Sequence, residues 1–578
     1  MRVNISLFSK LCLLITNVIL VFSVAILLFS NIFFIIGSSL SLYILLPVFA
    51  SVILFAYWNI RNYFESHRQI ILFGMIIFLG VVIGISIYGV SNFHEFSSDG
   101  QTSYSQARVE LANGYNPFYD PTENEIIDQY PQAPWIYGTL VYLFTGILDS
   151  SRAFNIIFLV AGFCAAFSFF SSHRDNPLWI TLLLSLLSVL NPVIICQSLS
   201  FLHDGQLGIM LLIIIFYSMS LLRKFDLPLL IGLGCALILA TNIKLTGVVY
   251  GYLFSGGILA WFIITRQWIP INIISKMKGT KLLNGIKILI HSVDKNCRYW
   301  LMGLVFSLIL GVVFFGYTSY VQNTIEDGSP FARLENIDEF LLKNRDLPPN
   351  WADYSPLRRF ILSIFSESQN SAGEIAQLKI PFTFINREVL TFSSGANRVG
   401  GFGPLFSGVF LLTVILFPSA FSLAIRFKGM ALDSLWVSLL ISISVLITSA
   451  AWWNRFVPQF WLLPIFVVFT MLLYERRRIG RLLSYGLILA LLLNASIVSY
   501  SYVTQARQAT IELDIIFNTM KQASKKYPLN VYFKNRKIFP IYYSERKIRF
   551  EVVEKDELGC AEPVILPKLS NEVMYCVQ

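Results

Sequence analysis

The chain alternates long apolar runs with short polar breaks. Stretches of about 18 or more residues with few charges have the length of a membrane-spanning helix, and such stretches recur from one end of the chain to the other. They predict helices over 11–36, 39–59, 70–90, 153–171, 177–195, 205–222, 227–243, 245–265, 299–318, 402–424, 431–451, 455–474 and 481–500. Trp135 to Leu148 is also apolar, but at about 14 residues it is short for a span, so a re-entrant segment and a short tilted helix both fit. The expected fold is an all-α polytopic membrane protein of about 13–14 transmembrane helices.

Three segments break this rhythm. The polar stretch 91–134 follows the third apolar run, and a longer one spans 319–401, with helical patterns around Asn336–Leu342 and Pro356–Ser366. From residue 503 the tail changes character. An amphipathic pattern over Ala506–Ser524 precedes the strand-like runs Leu529–Phe533 and Ile548–Val553, which predicts a small α/β appendage over 503–578 beyond a transmembrane domain over 1–502.

Composition agrees, with 55% hydrophobic residues and a net charge of +10. The positive charge is distributed by topology. Arg2 and Lys10, Arg61 and Arg68, Arg174, Arg223 and Lys224, Arg426 and Lys428, Arg476 to Arg478 with Arg481, and seven Lys and Arg over 266–298 fall in alternate loops, the pattern of cytoplasmic loops. A cytoplasmic N-terminus follows, with 91–134, the turn at Asp204, 319–401 and the tail facing outward. Charge used this way argues against a nucleic-acid partner and for anionic membrane lipids. The first apolar run is too long for a signal peptide's core and lacks a cleavage pattern, so it is expected to be retained. Cys12, Cys164, Cys196, Cys235 and Cys297 read as small buried hydrophobes. Cys560 and Cys576 share the outward tail, where a disulfide forms if their geometry allows.

The chemistry concentrates at the outward ends of the helices. Asp99 lies just beyond the third run, with Glu95 four residues earlier and His94 beside it; if the helix continues, both carboxylates share one face. A carboxylate at that depth suits a general base, whose proton affinity an apolar wall would raise. After Asp99-Gly100 come Gly114, Asn116-Pro117 and Tyr130-Pro131. Farther on stand Asn191-Pro192, His203-Asp204-Gly205-Gln206, Lys244, Asn397-Arg398-Val399-Gly400-Gly401-Phe402-Gly403-Pro404-Leu405 and Trp453-Asn454-Arg455-Phe456-Val457-Pro458. In order and shared face these pieces resemble the GT-C superfamily of membrane glycosyltransferases, in particular its bacterial mannosyltransferase-like and aminoarabinose-transferase-like members. Two features depart from the superfamily pattern: three apolar runs precede the acidic loop where the core has one, and the Y-P-P-L form appears as Tyr130-Pro131-Gln132-Ala133-Pro134.

That resemblance implies a GT-C-like fold and transfer of a sugar from a polyprenyl-phosphate donor to a lipid, glycan or protein outside the cytoplasm, with inversion. It implies Asp99 as the base, and Arg455, Lys244, Asp204, Gln206, His203, Tyr130 and Arg398 on the substrate. Arg455 is the first choice for the carrier's phosphate, since a guanidinium offers a planar fork that an ammonium lacks. Trp135, Trp452 and Trp453 are candidates to stack on sugar faces or to anchor at the interface. The resemblance fixes no cofactor, since some members of the superfamily use a divalent metal and others do not; His203, Asp204, Glu95 and Asp99 have donor types that suit one.

No phosphate-binding Walker loop, dinucleotide fingerprint or zinc-spaced cysteine set is present, so the energy must come with the substrate. A secondary transporter or lipid flippase is the competing class, with Lys244 and Asp204 on a path through the bilayer. Charges gathered at one face favour the enzyme. The outer loops hold no N-x-[ST] sequon, in keeping with a bacterial plasma membrane and a site on its extracytoplasmic face.

Overall fold

The computed structural model describes residues 5–122, 124–173, 177–266, 294–330, 341, 346–392, 395, 397–534, 538–560, 563–566 and 573–576. Arg174, the basic positions within 267–293 and, but for Leu341, the helix expected over 336–342 lie outside the described residues.

The protein is mostly helical, and among the described residues ten helices are long and apolar enough to cross a membrane. Three shorter apolar helices, Leu178–Val189, Leu227–Ile243 and Pro458–Tyr474, account for the remaining expected segments. The first of these stops early for a local reason. Proline disfavours helical geometry in the residue before it, and Asn191 instead caps a new helix, Pro192–Gln197, accepting from the Val193 amide at 3.0 Å. Trp135 falls in a helix of 13 residues, Ala133–Thr145, which ends at left-handed Gly146. At 1.5 Å per residue it reaches about 20 Å, too short to cross a bilayer.

Helix Asp204–Leu221 is apolar on all sides, and its surroundings explain why: 94% of its span is buried. Ala153–Ser171, Leu227–Ile243 and Leu245–Arg266 pack around it, while Phe406–Phe427, Gly429–Leu446, Leu462–Tyr474 and Arg478–Ala523 form a second group. Helix Arg68–Ser91, only 11% buried, lies at the margin.

The last span does not end where the tail begins. With no Gly or Pro between Gly486 and Pro528, the apolar run and the amphipathic stretch form one 46-residue helix, Arg478–Ala523. Beyond it lie strands β1 (Leu529–Phe533), β2 (Phe550–Val552), β3 (Val564–Ile565) and β4 (Val573–Cys576), in the order β2-β1-β4-β3. The β1–β2 pair is parallel, in register Leu529 to Phe550, and is crossed over by helix Ile538–Glu545; β4 runs antiparallel to β1 and β3. Cys560 and Cys576 form a disulfide, their Cα atoms 5.9 Å apart.

Candidate functional site

Four charged residues, expected separately from the sequence, meet at one end of the bundle. Asp204 opens its helix and is buried. One of its oxygens accepts from the Lys244 ammonium; the other accepts from Arg455 Nε at 2.9 Å and from Gln197 Nε2 at 2.9 Å. Arg455 turns its Nη1 to Asp99, 3.3 Å away. Asp99 alone faces solvent, its side chain 51% exposed against 10% for Arg455 and 3% for Asp204. Arg455 Nη2 has no partner among the described residues, and Lys244 uses its ammonium on Asp204 alone.

Each member is placed by its local chain. Lys244 is the extended residue between helices Leu227–Ile243 and Leu245–Arg266, so the ammonium returns across the helix ends to Asp204, 4.5 Å above the Phe456 ring. Arg455 sits in a single tight turn, Asn454–Phe456, beside the Trp453 ring at 5.2 Å. Burial disfavours its charge, but Asp204 and Asp99 outweigh that and hold its proton more firmly than usual. Beneath it Asn454 donates to the Gly401 carbonyl at 2.6 Å, and Asn494 holds both Phe402 O and Leu405 N. Gly403 lies between them at φ +109°, where a Cβ would overlap the Asn494 amide; this packing accounts for a glycine there.

An aromatic wall closes the other side. His203 stacks on Tyr104 with ring centroids 4.6 Å apart, and Tyr130 and Trp135 continue the wall. Both ring nitrogens of His203 are buried without a partner among the described residues. Burial, aided by nearby Arg108, pushes its proton affinity well below the ordinary histidine value, so the ring is neutral.

Three expectations are corrected. Glu95 does not share a face with Asp99, because the preceding helix ends at Ser91. Instead Glu95 is 1% exposed and accepts from the Ser97 amide at 2.6 Å, the Phe201 amide and the Ser200 hydroxyl, stapling the Asp99 loop to the 199–203 turn. Burial pushes its pKa up, against the pull of Arg152 and these donors. A Cβ at Gly100 would strike this carboxylate, so the staple also needs that glycine. Second, Gln206 turns into the packing, where its amide meets the Tyr137 hydroxyl and Asn155. Third, Arg398 is already paired with Asp346 at 2.6 Å and, among the described residues, meets the cluster through the shared Trp453 ring, 5.3 Å away.

Among the described residues no three His, Cys, Asp or Glu side chains converge for a divalent ion. Asp204 is committed to cations and an amide, and Glu95 to backbone N–H groups and a hydroxyl. Gln197 is the residue that sequence reasoning missed: it holds Asp204, the Gly205 amide at 2.8 Å and the Gly395 carbonyl, and no pattern around it marks that task.

No protein-family model matches the chain, and neither does any curated protein or solved structure.

Proposed function

We propose that the protein is an integral membrane glycosyltransferase that moves a sugar from a polyprenyl-phosphate donor to an extracytoplasmic acceptor. One observation carries the reading. Two buried cations, Lys244 and Arg455, converge on one carboxylate with donors to spare, and Arg455 also touches a second carboxylate, Asp99, that is half open to solvent. A site for phosphodiester chemistry between a lipid and a sugar needs fixed cations for the leaving phosphate and an accessible base for the incoming hydroxyl. Beside it, an apolar cleft of about 400 Å³ is lined by Val248, Tyr320, Val321 and Ile325, with Val248 one turn along the helix that Lys244 precedes; it suits a lipid tail.

In this reaction Asp99 takes the acceptor's proton as the acceptor oxygen bonds to the anomeric carbon. The bond from that carbon to the carrier's phosphate oxygen breaks, and its electron pair leaves with the polyprenyl phosphate. Arg455 Nη2 and the Lys244 ammonium receive the developing charge. Attack opposite the leaving group inverts the anomeric centre. The phosphate also gives Arg455 a stronger partner than Asp99, releasing the base.

The test is transfer of radiolabelled sugar from a panel of synthetic polyprenyl-phosphate sugars in membranes holding the wild type or Asp99→Asn. Label moved by the wild type and lost in the variant at equal protein level is the expected result. If every donor is inert while sealed vesicles accumulate a labelled lipid or sugar, the protein is a transporter.

A further inference from the structure

We propose that the segment Leu378–Leu390 is a lip seated in the lipid surface at the site end of the bundle, its partner being the acyl chains and headgroups of that leaflet. This rests on the membrane character of the helices and not on the transferase reading.

The segment carries six large apolar side chains that the rest of the protein leaves uncovered: Leu378, Ile380, Phe382, Phe384, Ile385 and Leu390, with Ile380 74% exposed. A cluster of this kind on a water-facing loop marks a binding surface. Its charges are already paired. Lys379 reaches Glu388 and the Pro404 carbonyl at 2.6 Å, and Arg387 meets Glu374 at 2.6 Å, so an apolar partner desolvates no lone charge.

Two fastenings set its depth. Phe382 adopts φ +68°, a left-handed conformation costly for a bulky residue. Its ring lies on Gly408, in the first turn of helix Phe406–Phe427, so closely that a Cβ there would overlap it. That helix goes on to expose Leu411, Val414 and Ile415, its lipid-facing side. On the other flank the Val389 carbonyl accepts from Ser501, next to Tyr500, which is 73% exposed on the long final helix. Exposed tyrosine is enriched at the membrane–water interface. The apolar patch is therefore continuous with the lipid-facing belt and sits where the two helices enter the bilayer. Through Pro404 it also reaches the 401–405 loop that Asn454 holds, one residue from Arg455.

The test places a single cysteine at Ile380 or Phe384, labelled with an environment-sensitive fluorophore, in the full-length protein in nanodiscs of phosphatidylethanolamine and phosphatidylglycerol. The five unpaired cysteines are buried and Cys560 and Cys576 are bonded, so the label is selective. The reference position is Tyr527→Cys, exposed in the tail. A lipid spin-labelled high on its acyl chain is expected to quench the label at 380 at least about threefold more than at 527, with aqueous iodide doing the reverse. Equal iodide quenching at both positions overturns the proposal. So does protection from both quenchers, which would mean that protein covers the patch. Leu390→Cys gives the same readout should either first variant fold poorly.

Discussion

Two ionic clusters stand at the same end of the bundle, and they differ in what they leave open. Around Arg152 every guanidinium nitrogen has a partner. Its guanidinium, itself buried, reaches the carbonyls of Asp149, Leu199, Val90 and Phe93 and the Asp149 carboxylate at 2.7 Å. His94 joins that cluster, one ring nitrogen 2.9 Å from Asp149 and the other 2.9 Å from Asp514, with Arg546 and Tyr542 closing it from the tail. Around Arg455 the hydrogen bonding is incomplete. Among the described residues Arg455 Nη2 has no hydrogen-bond acceptor and the Lys244 ammonium has one, while the Asp99 carboxylate is half exposed. A saturated cluster holds segments together, whereas an unsaturated one retains hydrogen-bonding capacity, which is what the proposed reaction would use.

The largest expected effect separates the two at Asp99. Asp99→Asn removes a half-exposed charge, so stability should stay within about 0.5 kcal/mol of the wild type. Sugar transfer should fall by about 10²- to 10⁴-fold, the range of a lost general base. Thermal unfolding in detergent and initial rates on the same preparation measure both. A variant that loses stability as well would assign Asp99 to the architecture.

Arg152→Met probes the closed cluster and should do the opposite. It strands the Asp149 carboxylate and several carbonyls in the interior, a loss of about 3–5 kcal/mol by analogy with other broken buried pairs. Reduced yield and a lowered unfolding midpoint are expected. Retained stability would show that the cluster is wetter than its geometry implies.

A smaller effect is expected from Arg455→Lys, which keeps the charge but loses the fork. Affinity for a polyprenyl phosphate, titrated by quenching of intrinsic tryptophan fluorescence, should weaken by about tenfold, or ~1.4 kcal/mol. Unchanged affinity would mean that Lys244 alone holds the phosphate.

What the sequence revealed follows how local each feature is. Spans are a property of consecutive residues, so all thirteen runs found a helix, and Leu529–Phe533 found its strand. That Asp204, Lys244 and Arg455 stand at helix ends was readable from the apolar runs beside them. That they bind one another was not, since Asp204 and Arg455 are 251 positions apart and only the helix packing joins them. Glu95 was misread because its role depends on the Phe201 and Ser97 amides, and a backbone donor has no letter in the sequence. Gln206 was misread because a one-position rotation on a buried helix exchanges a site for a packing contact.

The last and smallest effect concerns pH and the docking of the tail. Burial opposes the charge on His94, but Asp149 and Asp514 outweigh it and, despite Arg546, hold its proton affinity above the ordinary histidine value. The docking contribution of its charge is then complete below that ordinary value and is lost as pH rises through the raised one. Glu545, buried against the Leu148 amide and near Asp149, is pushed up to about 7. Its docking cost grows as pH rises from the ordinary carboxyl value to about 7 and is constant above that. Glu95 and Arg152 also face this junction and, with Tyr542, complete the groups around it. The two trends add, so the tail should loosen with increasing pH while the Arg455 cluster keeps its geometry. Hydrogen exchange of helix Ile538–Glu545, corrected for intrinsic rates, should lose protection as pH rises from 6 to 9. His94→Gln should flatten that dependence. A pH-independent protection factor would mean that His94 stays charged throughout, making the closed cluster a fixed joint.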